Sequence, residues 1–328
     1  MRTHKLSIIA LILILVAGAF PLSASGHGES DAPERQEISV AALQGPTGVG
    51  VARYLSESVT VTDRAEVTFE IVPDPSVMVG RLSSGETDIG MLPSNVAAQL
   101  YNRGVPIKIS AVTLWGVLYV VGTDDAITEW EDLEGKTVES IARGATPDIL
   151  LRHLLAENGV DPEADVNLNY QFAPAELAQM VAGGQVDLAV LPEPFVTQVM
   201  SRRDDLSILL DFQDGWRELY DDAYPQTVVV VRQEAWERSQ AAMGEALALI
   251  EDGWNAAIDD PQRAGEVVAD SSLSLPGPVV TAALPRLNAR YVPAADARSA
   301  LDRYFQVLHD FEPRTVGGEV PGEDIYLR

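Results

Sequence analysis

Residues 38–97 run from Ile38-Ser39-Val40-Ala41-Ala42-Leu43-Gln44-Gly45-Pro46-Thr47 to Asp88-Ile89-Gly90-Met91-Leu92-Pro93-Ser94-Asn95-Val96-Ala97. They align without a gap on residues 137–196, an offset of 99. Gly45 and Thr47 fall on Gly144 and Thr146, Arg53 and Leu55 on Arg152 and Leu154, Val67 on Val166 and Pro75 on Pro174. Gly85 and Asp88 fall on Gly184 and Asp187, and Leu92-Pro93 on Leu191-Pro192. These are among twelve identities in sixty positions, gathered at turns and strand ends. Such self-similarity reads as a duplicated structural unit. Each copy opens with a short apolar strand (38–43; 137–142) and a Gly-x-Thr turn. A helix follows, clearest in the second copy, where Ile149, Leu150, His153 and Leu154 keep the helical period. An alternating strand comes next, around Val67 and Val166. A second helix then runs to Gly85 or Gly184, each placed as a C-cap, and a buried strand closes the unit (88–92; 187–191). The βαβαβ order predicts an α/β fold with a mostly parallel sheet flanked by helices in each of two similar lobes.

The rest of the chain fits two lobes joined by crossovers. Residues 107–121 are β-rich and interrupted at Trp115-Gly116, which suits an exit from the first lobe, and 226–232, with four consecutive valines, suits a return strand. Met243, Leu247, Ile250, Trp254 and Ile258 share one helix face, as do Leu301, Tyr304, Phe305, Leu308 and Phe311, and both stripes read as core packing. Residues 317–322 read as a closing loop. The expected organisation is a leader at 1–26, lobe one at 27–118, lobe two at 119–224, and a return to lobe one with C-terminal helices at 225–328.

The leader reading rests on basic Arg2 and Lys5, the apolar run 6–20 and the small residues Ser23-Ala24-Ser25-Gly26, a secretory pattern too short for a typical span. The alternative is an uncleaved N-terminal anchor. Residues 27–36 read as a polar arm. The chain of 328 residues, 46% apolar, is long enough for a sizeable core. Its formal charge of -26 repels phosphate backbones, so no nucleic-acid partner is expected. Lys5, Lys108 and Lys136 are the only lysines, and the acidic, lysine-poor composition suits either salt adaptation or an acidic proteome. With no cysteine there is no disulfide, no thiolate nucleophile and no lipid-anchored export.

Several motifs fail on spacing. Gly135-Lys136-Thr137 lacks the upstream glycine of a phosphate loop, where Trp130 stands instead, and Gly45-Pro-Thr-Gly-Val-Gly50 is not GxGxxG. His4, His27, His153 and His309 are scattered, so no metal is assigned, and no GxSxG occurs. No catalytic residue and no cofactor are assigned.

In open parallel sheets, ligands sit beyond the carboxyl ends of the strands. One lobe offers Gln44, Pro46, Thr47, Ser94 and Asn95 there, the other Arg143, Ala145, Thr146 and Glu193, and Trp115 stands at the crossover. Glycine lets the backbone approach a guest, and helix starts present N–H groups. Thr47 and Thr146 either cap helices or donate to a ligand. Arg143 pairs with a ligand carboxylate or with Glu193 inside its lobe, and Trp115 is either an apolar wall or core. Asp88 and Asp187 read as structural.

The chain resembles the solute-binding proteins of ABC importers for nitrate, sulfonates, taurine and thiamine-pyrimidine precursors. The resemblance is carried by Gly45-Pro46-Thr47-Gly48, Gly85-Glu-Thr-Asp88-Ile-Gly, Trp130-Glu-Asp-Leu133-Glu-Gly135-Lys136-Thr137, Gly144-Ala-Thr146-Pro147, Gly184-Gln-Val-Asp187-Leu-Ala-Val-Leu-Pro192-Glu193-Pro194 and Val316-Gly317-Gly318. It implies a two-lobed venus-flytrap fold and capture of a small solute in the interlobe cleft. It also implies delivery to an inner-membrane permease and its ATPase, without catalysis. A free periplasmic monomer without a lipid anchor is expected. Glu193 beside helix starts favours a neutral, zwitterionic or cationic heteroaromatic ligand over a small naked anion, with a sulfonate-like solute also within the family's range. The competing readings are an enzyme on the same scaffold acting on a small cofactor precursor, and a sensory ligand-binding module.

Overall fold

The computed structural model describes residues 36–328. The expected leader at 1–26, and 27–35 of the polar arm, lie outside the described residues. Gln36, read as the end of that arm, instead opens the first strand.

Two sheets organise the chain. The first contains β1 (Gln36–Leu43), β2 (Val59–Thr62), β3 (Ala65–Val72), β4 (Ile89–Pro93), β5 (Ile107–Leu114), β11 (Thr227–Arg232) and β12 (Ala289–Pro293), in the order β12-β5-β11-β4-β1-β3-β2. The second contains β6 (Leu118–Gly122), β7 (Thr137–Glu139), β8 (Asn167–Asn169), β9 (Leu188–Pro192) and β10 (Ser207–Asp211), in the order β10-β6-β9-β7-β8. β1 pairs in parallel with β3 and β4, and β7 in parallel with β8 and β9. β11 runs against β4 and β5, and β6 runs against β9 and β10. The run β5-β11-β4-β1-β3 therefore repeats, in order and direction, as β10-β6-β9-β7-β8. In each lobe the reversed strand is the one entering from the other lobe: β6 follows β5 into the second sheet, and β11 returns to the first.

The repeat is not gap-free in space. Val40 lies opposite Ile89, and Glu139 opposite Ala189, separations of 49 and 50 positions. Gln36 pairs with Ala65, and Thr137 with Asn167, separations of 29 and 30. β7 has therefore slipped by one residue relative to the rest of its copy, and such a slip exchanges the faces of a strand. Glu139, not Ser140, stands where Ala41 stands in the first lobe. The extra residue is absorbed in the following loop, where Ala142 adopts φ 53, a left-handed value uncommon outside glycine.

The helices follow local signals. α1 (Pro75–Ser84) is capped by Asp74, which accepts from the Ser76 and Val77 amides, and ends at Gly85 with φ 87. α4 (Pro174–Ala182) is its counterpart, and α3 (Thr146–Glu157) carries the buried Ile149, Leu150 and Leu154. The counterpart of α3 in the first copy is a 3-10 helix, Pro46–Tyr54, rather than an α-helix. Its glycines and β-branched valines are poor helix formers. A Cβ on Gly50 would lie 2.4 Å from the Trp254 indole, so this turn is shaped by packing against α8 (Gln240–Asp259). β2 was not anticipated from the sequence. Both apolar stripes overrun their core: Ile258 and Phe311, the last members on α8 and α11 (Ala294–Phe311), are exposed. Residues 317–322 form the expected loop, and beyond it Tyr326 is buried, forms a bridge to Ile109 and donates to Asp302 Oδ1 at 2.6 Å.

The largest core cluster spans both lobes. It joins Val112, Val228 and Val230 of the first sheet, Val138 and Val190 of the second, and Trp216, Tyr224 and Tyr304. Trp216 lies on α6 (Phe212–Tyr220). Separate clusters cover the outer face of each sheet.

Candidate functional site

The strand directions bring the carboxyl edges of the two sheets to the crossovers. β5 leaves the first sheet at Leu114, level with the end of β4 across β11, and the Gln226 amide donates to Leu114 O at 2.8 Å where the chain returns. β6 enters the second sheet with Leu118 opposite Pro192, at the end of β9. Three structural starts stand at these edges without a side-chain cap. They are the 3-10 helix, whose N-cap is Gly45 at φ 102, α2 (Ser94–Asn102) after Pro93, and α3 after Ala145. Thr47 and Thr146 thus lie inside their helices and cap neither. Their hydroxyls are free of the capping task that was one of the two expectations.

Each anticipated residue has a definite place. Gln44 is exposed and donates through Nε2 to Leu273 O at 2.6 Å, while Pro46 is half-buried and Thr47 buried. Ser94 is fully buried and donates to Pro225 O at 2.7 Å, tying the start of α2 to the return crossover, and Asn95 is half-buried beside it. Arg143 and Ala145 are exposed, and the Arg143 guanidinium lies 5.6 Å from the centre of the Tyr170 ring. Thr146 is buried, with its hydroxyl near the Tyr304 phenol of α11, a helix packed on the first sheet.

Trp115 and Glu193 are both engaged inside the protein. The Trp115 ring is buried, its Nε1 donates to Arg290 O at 2.9 Å, and the Arg290 guanidinium sits 4.8 Å from the ring centre. Gln213 donates to Trp115 O and accepts from the Tyr224 amide. Trp115 therefore braces the crossover. A cavity of about 390 Å³ opens alongside, lined by Trp115, Gln213, Asn288 and Arg290. Glu193 does not pair with Arg143. Its fully buried carboxylate accepts from the Thr197 amide at 3.1 Å, from Thr197 Oγ1 at 2.9 Å, and from Arg286 Nε at 2.5 Å. With Arg286 beside it, Glu193 no longer argues against an anionic ligand.

Sequence reasoning missed Arg286, Thr197, Tyr304 and Asp148. Asp148 accepts from the Gly144 amide at 2.7 Å and from Arg152 Nε at 2.6 Å, and Tyr170 donates to it as well, so it fixes the loop before α3. Thr197, four residues after Glu193, was the one signal in reach. Arg286 is 93 positions from its partner, and nothing local marks it. Burial pushes the Tyr119, Tyr224 and Tyr304 phenols upward, so they act at neutral pH as hydrogen-bonding hydroxyls. Among the described residues, no group of three acidic, histidine or cysteine side chains could hold a metal, and no helix is long and apolar enough to cross a membrane.

Comparison with known proteins gives a consistent result. Residues 49–268 match the family model described as ABC transporter, phosphonate, periplasmic substrate-binding protein. An ABC transporter structure from Parabacteroides distasonis is 27% identical, covers 89% of this chain and 98% of its own, and superposes with a TM-score of 0.76. The periplasmic aliphatic sulphonate binding protein SsuA from Escherichia coli, 17% identical, covers 89% and 91% with a TM-score of 0.68. The periplasmic nitrate-binding protein NrtA from Synechocystis, 14% identical, covers 76% and 70% with a TM-score of 0.52. No match to a curated protein was found by sequence.

Proposed function

Since this chain belongs to the phosphonate-type periplasmic substrate-binding proteins of ABC transporters, we propose that it captures a small organic solute at the junction of its lobes and hands it to a membrane permease driven by an ATPase. The family consists of transport proteins and not enzymes, so the enzymatic reading falls away. The observation that carries the site proposal is the set of uncapped starts after Gly45, Pro93 and Ala145, at the carboxyl edges of both sheets. Helix starts with uncapped N–H groups suit the acceptor oxygens of a solute. Gln44, Pro46, Thr47, Asn95, Arg143, Ala145 and Thr146 are the contacts proposed, with Ser94 and Glu193 holding the edges from which they project. A sulfonate-like or heteroaromatic solute fits this mixture of backbone donors, hydroxyls and one exposed guanidinium. On this reading the protein works as a monomer in the periplasm.

A thermal-shift screen on leader-free protein tests the reading, with sulfonates, phosphonates, nitrate, taurine and pyrimidines as probes. A ligand at 100 times its Kd adds about 2.7 kcal/mol of stability. For the best hit, Thr47→Ala combined with Thr146→Ala weakens binding at least tenfold, beyond what the loss of two buried hydroxyls does to the unliganded melting temperature. Unchanged affinity in that double variant removes the cleft assignment.

A further inference from the structure

Arg286 lies in the 3-10 turn Leu284–Arg286 that leads towards β12 of the first lobe. Three groups of the second lobe converge on it. Its Nε donates to the buried Glu193 carboxylate at 2.5 Å, its Nη2 donates to Thr197 Oγ1, and its backbone carbonyl accepts from Tyr119 Oη at 2.5 Å. Beside this cluster α10 (Gly277–Ala283) of the first lobe packs against α5 (Phe195–Met200) of the second. By the offset of 99, Glu193 occupies the place of Ser94, whose hydroxyl only reaches the adjacent crossover. The second copy thus puts a charge where the first has a short hydroxyl, and meets it with an arginine from the opposite lobe.

We infer that Arg286, with Glu193, Thr197 and Tyr119, is an interlobe latch that holds this binding protein closed independently of its ligand. The latch rests on the two-lobed reading and not on the identity of the solute. The Glu193 side chain has no exposure, and that of Arg286 is 31% exposed. A buried carboxylate stripped of its partner is strongly unfavourable, whereas one returned to water is not. Loss of Arg286 therefore penalises the closed arrangement alone, because opening rehydrates Glu193. Neutralising Glu193 as well removes most of that penalty, since the amide retains Thr197 as a neighbour.

The absence of cysteine allows clean labelling, with spin labels on Asp204→Cys of the second lobe and Asp270→Cys of the first, both exposed. Pulsed electron resonance on the full mature chain without ligand is expected to give one short-distance population. Arg286→Ala shifts the closed-to-open ratio at least tenfold towards longer distances, and Glu193→Gln added to it restores the short population in part. Thr197→Val gives a smaller shift in the same direction. Raising salt on the otherwise unsubstituted protein lengthens the distance as well, a readout that does not depend on any latch variant folding. An Arg286→Ala distribution identical to the parent, or a parent already open and insensitive to salt, overturns the latch. No solute enters this measurement, so its failure is separate from any failure of the binding proposal.

Discussion

Glu193 illustrates how environment assigns a role to a side chain. A carboxylate at a strand end reads as a ligand acceptor, but here its oxygens are taken up by Thr197 and Arg286. Its residue type was legible, and its partner in the other lobe was not. His153 carries a prediction at the same scale. Its Nε2 lies 2.7 Å from Tyr220 Oη, its ring stacks on Tyr220, and burial lowers its pKa. The unfolded chain therefore takes up the proton first. The stability from neutral His153 is complete above the unfolded value of about 6.5 and is lost as pH falls from there towards the depressed folded value. Between pH 7.5 and 5.5 the melting temperature should fall more for the parent than for His153→Gln. Parallel curves would remove His153 as the cause.

At the scale of elements, the slip of β7 is the informative departure. The ungapped alignment places Gly144 and Thr146 correctly on Gly45 and Thr47, because the turn and helix keep the offset. The strand before them does not, and the compensating residue sits at Ala142 with φ 53. A non-glycine residue in that region is strained by about 1–2 kcal/mol. Ala142→Gly relieves that strain but adds freedom to the unfolded chain, so a net gain of about 0.5 kcal/mol is expected in urea unfolding. A loss of 1 kcal/mol or more would show that the left-handed turn is not strained. Periodicity cannot reveal such a slip, because a three-residue strand has too few positions to declare which face is apolar. The same weakness hid the four-residue β2, whereas Ile258 and Phe311 keep the helical period but lie in the last turns of their helices, past the core.

Across the whole molecule, the two sheets share a core. Trp216, Tyr224 and Tyr304 lie within about 6 Å of one another by ring centres and join valines of both sheets. Lobes that share a buried cluster unfold together, so calorimetry should record one transition with matching calorimetric and van't Hoff enthalpies. Two resolved transitions would show that the shared cluster is too weak to couple the lobes. The duplication, the α/β class, the crossover at Trp115-Gly116, the return strand and the family were all readable in the sequence. They depend on local pattern: apolar period, turn glycines, strand-end prolines and a repeat offset. Which lobe supplies the reversed strand of each sheet, the engagement of Trp115 by Gln213, and the meeting of Glu193 with Arg286 were decided by tertiary structure. These are contacts between groups about a hundred positions apart or more, and only the closing of the two halves on each other determines which buried charge finds which partner.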